Sequence, residues 1–153
     1  MSRVLVLNGP NLGSLGRREP EVYGGATLEE IAALVRARAQ RYGLEVRFEQ
    51  SNHEGALIDI LEAERDSADA CILNGGALTH TSIALLDAVR GFAKPVVEVH
   101  LSNIHAREQF RHTSLTAGAA RGIIAGLGPH GYELAVDAVA RILDITGSNG
   151  VRA

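Results

Sequence analysis

The sequence predicts a single α/β domain whose sheet is parallel and covered by helices on both faces. Three observations predict it. Short apolar runs recur five times along the 153 residues, segments of helical period separate most of them, and the polar residues able to do chemistry gather beyond the carboxyl ends of three runs. A chain of this length buries roughly 68–70% of the surface its unfolded form exposes, so it needs no metal or disulfide staple to fold. Residues 1–153 are therefore expected to form one catalytic-size domain.

The first strand, 3–8, carries Val4, Leu5, Val6 and Leu7 in an unbroken apolar run, as a strand buried on both faces requires. After a long polar stretch, Thr27 and Glu30 form a capping box opening a helix to Gly43, with Leu28, Ile31, Ala32, Val35, Ala39 and Tyr42 at helical spacing. In the second strand, 44–50, Val46 and Phe48 alternate with charges and read as a sheet edge. Ser51 and Glu54 repeat the capping pattern before a helix to 66, with Leu57, Ile58, Ile60 and Leu61 as its stripe. A third strand spans 69–74, a helix 81–90, a fourth strand 95–101 and a fifth 121–126. The last helix, 132–145, has Ala135, Val136, Val139, Ile142 and Leu143 on one face, and the Gly/Ser/Asn-containing tail 146–153 is expected to fray. Five such units suggest the flavodoxin-like strand order 2-1-3-4-5, in which ligands bind at the topological switch point beyond the strand ends. The site should then draw on 8–23, 74–81 and 100–111.

Composition narrows the partners. Fifteen Lys+Arg against 18 Asp+Glu give a net charge of −3, with no basic run beyond Arg17-Arg18, which argues against nucleic acid or an anionic membrane. No window reaches the ~20 apolar residues of a membrane span, the 4–7 run is too short for a signal-peptide core, and the single cysteine, Cys71, has no internal disulfide partner. The cytoplasm is the expected compartment and a small molecule the expected ligand.

The three strand-end segments differ in kind. The stretch Asn8 to Gly24 (NGPNLGSLGRREPEVYG) far exceeds the usual βα connection of 2–6 residues and suggests a lid. Asn74 to Ser82 (NGGALTHTS) supplies glycines for close backbone approach and hydroxyls near a helix start. In Glu98 to Arg111 (EVHLSNIHAREQFR), Glu98 and His100 are two apart on a strand and point to one side, so the carboxylate can orient the imidazole.

Better-known chemistries fit poorly. Gly126 to Gly131 matches G-x-G-x-x-G, but no later strand supplies a ribose-binding acid, and a tight turn is the better reading. Gly9, Gly13 and Gly16 lack the Lys-Ser/Thr of a P-loop. His100, His105 and His112 fit no zinc spacing, six aromatics without Trp give a flavin no walls, and the only lysine, Lys94, stands at the wrong end of the sheet for Schiff-base chemistry. What remains is Tyr, His, Arg, Asn and Ser, the means for proton transfer with charge developing on a carbonyl oxygen. A phenol with a reference pKa of about 10 is ionised about one part in a thousand at pH 7, a deficit of about 4 kcal/mol that a nearby guanidinium can offset. Arg17 or Arg18 could do so for Tyr23. His53, His105, His112 and His130 read as surface or structural residues. A receiver-type domain lacks its acidic pocket, because strands one and three end in Asn8 and Asn74; a non-catalytic binding or scaffold module on this fold remains the alternative.

Those segments, with Gly122 to Tyr132 (GIIAGLGPHGY), resemble the type II 3-dehydroquinate dehydratases over residues 4–145. The resemblance implies a hydro-lyase without metal or cofactor that removes water from 3-dehydroquinate by an anti route through an enolate, giving 3-dehydroshikimate for aromatic biosynthesis or in quinate breakdown. It implies Tyr23 as base, Arg18 as the group keeping it ionised, Asn11 as holder of a water at the enolate oxygen, and His100, oriented by Glu98, as general acid. Asn74, Leu101 and Ser102 would bind the carboxylate and neighbouring hydroxyl, His80 and Arg111 other hydroxyls, and Arg107 would lie at the lid. Asp87 would reach a neighbouring subunit's site in a dodecamer built as a tetramer of trimers. The sequence departs from the family pattern at Gly13-Ser14, where Asn-Leu is common, and at Gly75, where Pro or Ala is common.

Overall fold

The computed structural model describes residues 1–145 and 147. Five parallel strands, β1 (Arg3–Asn8), β2 (Glu45–Gln50), β3 (Ala70–Asn74), β4 (Val96–His100) and β5 (Gly122–Ala125), lie in the order β2-β1-β3-β4-β5. The flavodoxin-like order is therefore as the sequence suggested. Asn8 is in register with both Gln50 and Asn74, which brings the ends of β1 and β3 side by side at the switch point.

Strand alternation builds two cores. Val4, Val6, Ile72 and Val99 face α2 (Leu28–Gln40) and α6 (His130–Ile142), while Leu5, Leu7, Leu73 and Val96 face α3 (Glu54–Glu64) and α5 (Ile83–Phe92). Leu5 and Leu7 are fully buried, and each such side chain contributes about 1.5–3 kcal/mol by leaving water. Thr27 and Glu30 make the expected capping box on α2. Both edge strands are partly exposed, and Ile123 makes the apolar run of β5 less buried than its composition suggested.

Several expected elements differ. The polar stretch after β1 contains a 3-10 turn (Leu12–Ser14) and a one-turn helix, α1 (Pro20–Tyr23). The expected Ser51/Glu54 capping box does not form. Helix α3 starts at Glu54, too late for Ser51, whose Oγ accepts from the His53 amide instead, and the Glu54 carboxylate accepts from Ser82 Oγ at 2.6 Å. The helix expected over 81–90 is α5, which starts two residues later because Ser82 is extended and its hydroxyl caps Leu85 N, and a separate one-turn helix, α4 (Leu78–Thr81), precedes it. The segment between β4 and β5, read as loop, has 3-10 turns at Ile104–Ala106, Gln109–Arg111 and Thr116–Ala119. Helix α6 begins two residues earlier than periodicity placed it. Apart from Gly147, the tail expected to fray over 146–153 lies outside the described residues. Among the described residues, no helix is long and apolar enough to cross a membrane.

Candidate active site

At the switch point two loops touch backbone to backbone. Gly9 N donates to the Asn74 carbonyl at 2.8 Å, and a Cβ on Gly9 would lie 2.4 Å from the Gly75 carbonyl oxygen, so only glycine fits. A Cβ on Gly75 would meet Thr79 Oγ1 at 2.7 Å. The departure to glycine at position 75 thus leaves room for a threonine hydroxyl behind the loop.

Beyond these strand ends lies a pocket lined by Asn11, Arg18, Tyr23, Asn74, His80, His100, Leu101, Ser102, Arg107 and Arg111. All were singled out in the sequence. Pro10, Leu12 and Ile104, which were not, add apolar wall.

One side of the pocket is built on β4. His100 is 5% and Glu98 0% exposed, and His100 Nε2 donates to Glu98 Oε2 at 2.9 Å. The same carboxylate accepts from Ser114 Oγ at 2.7 Å and from Thr116 Oγ1. Burial alone would push the Glu98 carboxyl up, but hydrogen bonds from His100, Thr116 and Ser114, with the attraction of His100, hold it below the usual carboxylate range. It is therefore an anion that fixes the imidazole. Sequence reasoning missed Ser114 and Thr116, whose only signal was a Ser-x-Thr spacing in an aperiodic stretch. The His80 ring stacks near His100, centroids 6.4 Å apart, with Nδ1 donating to the Thr113 carbonyl at 2.8 Å.

Another side is built on the long segment after β1 that the sequence suggested as a lid. Helix α1 begins with Pro20, whose fixed φ suits the first turn, and ends at Gly24 with φ 82°. Between them Tyr23 receives a hydrogen bond on Oη from Arg18 Nη2 at 3.3 Å. The Arg18 and Arg107 guanidinium carbons lie 4.6 and 5.1 Å from the Tyr23 ring centroid. Of the two arginines left open by the sequence, Arg18 is the one at the phenol, and Arg107 joins it from the β4 side while donating to Ser102 Oγ at 3.3 Å. Asn11, in the left-handed region at φ 68°, is tied through its amide to Asn52.

Asp87 is not in this pocket. It lies exposed on α5, near Arg90, along the groove between α3 and α5. Lys94 lies near Arg121 beside the opposite ends of β4 and β5, remote from the pocket residues. Cys71 is buried in β3, where desolvation pushes its thiol up and leaves it inert. Residues 126–129 form a turn in which Gly126 and Gly128 have positive φ, and His130 and Gly131 already belong to α6. Among the described residues, no group of three or more His, Cys, Asp or Glu is arranged to hold a metal ion.

An anchored imidazole opposite an arginine-flanked phenol can exchange protons with a small polar anion held between them, which on this fold defines an acid–base α/β enzyme. Comparison narrows the class. The family model described as dehydroquinase class II matches residues 2–140, and the chain belongs to that family. It is 58% identical over 138 residues to 3-dehydroquinate dehydratase 1 of Corynebacterium efficiens, covering 90% of this chain and 91% of that one. It is 56% identical over 145 residues to the 3-dehydroquinate dehydratase of Thermus thermophilus, covering 94% and 97%. The crystal structure of type II dehydroquinase from Butyrivibrio crossotus superposes with a TM-score of 0.88 at 39% identity, covering 90% of this chain and 97% of that one. That from Propionibacterium acnes gives 0.87 at 42%, covering 91% and 96%.

Proposed function

We propose that this chain dehydrates 3-dehydroquinate to 3-dehydroshikimate, with Tyr23 and His100 working from opposite sides of the ring. The observation that carries the division of labour is that the Arg18-bonded phenol and the Glu98-anchored imidazole line one pocket. Tyr23, as phenolate, takes the proton from the carbon next to the ketone, forming its O–H as the C–H bond breaks, and the electron pair of that C–H bond moves toward the ketone oxygen as the enolate. Arg18, bonded to the phenol oxygen, and Arg107, on the ring face, place positive charge where the step needs it and limit its charge cost. Asn11 holds a water at the enolate oxygen. When the enolate collapses, the C1 carbon–oxygen bond breaks and the hydroxyl leaves as water with a proton from His100. Because Nε2 is committed to Glu98, Nδ1 is the nitrogen left to deliver it.

Asn74 with Leu101 and Ser102 holds the carboxylate and neighbouring hydroxyl, and His80 and Arg111 hold the remaining ring hydroxyls. No metal or cofactor takes part. In a homododecamer arranged as a tetramer of trimers, Asp87 completes a neighbour's site, which agrees with its exposure away from its own pocket. The chain acts in the cytoplasm as one catalytic domain. A non-catalytic binding module is disfavoured by family membership. Purified chain mixed with 3-dehydroquinate should generate the absorbance of a conjugated enone, unchanged by a chelator, with a light-scattering mass of twelve chains; folded protein that produces no enone overturns the reading.

A further inference from the structure

Behind the pocket, three elements meet at one hydroxyl. Tyr132, on α6, is fully buried, and its Oη donates to Asn8 Oδ1 at the end of β1 at 2.7 Å while accepting from Asn74 Nδ2 at the end of β3 at 2.9 Å. Asn8 is itself fixed by its Nδ2 donating to the Glu49 carbonyl at 3.0 Å, so its Oδ1 is available only as an acceptor toward Tyr132. The Tyr132 proton is therefore committed to Asn8, and its oxygen can meet Asn74 only as an acceptor. Burial pushes the Tyr132 phenol far up and keeps it a neutral O–H donor.

The other end of the Asn74 amide is fixed independently, because the Gly76 amide donates to Asn74 Oδ1 at 3.1 Å. Both contacts oppose an amide flip: a flipped Asn74 would set a carbonyl against an oxygen with no proton to give, and an NH2 against an N–H. Asn74 lines the pocket, and the one amide donor still uncommitted is its second Nδ2 hydrogen. We propose that Tyr132 is a positioning residue that holds the Asn74 amide with an N–H toward the pocket and thereby makes this end of the pocket select a carboxylate. The inference rests on the proposed function, in which Asn74 meets the substrate carboxylate. Nothing about Tyr132 in the sequence hinted at it, since an apolar helix face explains an aromatic there equally well.

The test compares competitive inhibition by quinate and by its carboxamide, one ring with and without the anion. Wild type should favour quinate. In Tyr132→Phe one of the two contacts that oppose a flip of the Asn74 amide is lost and only the Gly76 amide still holds it, so the preference should fall about tenfold, with KM for 3-dehydroquinate rising by a similar factor and kcat changing much less. Loss of packing alone would lower Tm and the active fraction while leaving KM and the preference where they were. Asn8→Ala, which keeps the tyrosine ring and lies outside the pocket, frees the Tyr132 proton and should reduce the preference in the same direction; it decides the matter if Tyr132→Phe does not fold. An unchanged preference in folded Tyr132→Phe, or in Asn8→Ala where Tyr132→Phe does not fold, overturns the inference while wild-type turnover keeps the functional reading intact. Absence of wild-type turnover would instead sink that reading.

Discussion

The two sides of the pocket are held in place by opposite means. On the β4 side, Glu98 and His100 sit at the end of a buried central strand, and three donors converge on the carboxylate. On the lid side, Tyr23 sits in a one-turn helix bounded by Glu19 at φ 36° and Gly24 at φ 82°, and its polar support is a guanidinium with 30% of its side chain still exposed. His100, the proposed acid, is anchored by a buried network, whereas Tyr23, the proposed base, depends on a loop keeping its shape. A proton donor can be fixed by a buried network, whereas a group proposed to act as an anion needs positive charge beside it, which Arg18 and Arg107 supply.

The largest effect should come from the lid. Tyr23→Phe removes the proposed base and should lower kcat toward the upper end of the about 10²–10⁴-fold range of acid–base catalysis, with quinate affinity largely retained; steady-state kinetics and calorimetry check both halves. Arg18→Gln removes a charged hydrogen bond of about 1.5–3 kcal/mol and should cost kcat about 10–10²-fold, less than the loss of the phenol itself.

On the strand side, Thr116→Val should cost kcat about tenfold and Thr116→Ser should restore it. The same variant should change acid stability in a definite direction. Glu98 is held below its ordinary range, so its ionised form stabilises the fold above the ordinary glutamate value of about 4.3, and this is lost as pH falls through the lower folded value. With a donor gone and burial still opposing the charge, the loss should begin at higher pH in Thr116→Val, which melting curves between about pH 3 and 6 would detect. The smallest effect belongs to Lys94→Gln, remote from both sides: kinetics should match wild type, and borohydride with substrate should trap nothing at Lys94.

The same contrast governs what could be read from sequence. Glu98 and His100 were legible because strand alternation is a rigid rule and two residues apart means one side. Tyr23 and Arg18 were legible only as members of one loop; which arginine reaches the phenol depends on left-handed turns that no period encodes, and family resemblance favoured Arg18 before geometry did. Ser114 and Thr116 went unseen because they belong to neither strand nor α-helix, and Tyr132 because a polar tip is invisible when its ring fits an apolar stripe. The break at Ser82 was hidden for a related reason. Ser82 caps α5 through the local bond from Leu85 N, but its hydroxyl is also held by Glu54, a contact far apart in sequence that no local pattern encodes.

The assignment of base to the lid and acid to the strand can be tested by separating the two proton transfers. A substrate analogue that keeps the ketone but lacks the departing C1 hydroxyl can lose its α-proton but cannot complete the elimination, so deuterium uptake from heavy water reports the base alone. Exchange should proceed in wild type and in His100→Gln and be absent in Tyr23→Phe; exchange that persists without the Tyr23 hydroxyl, or that vanishes with His100, would contradict the account.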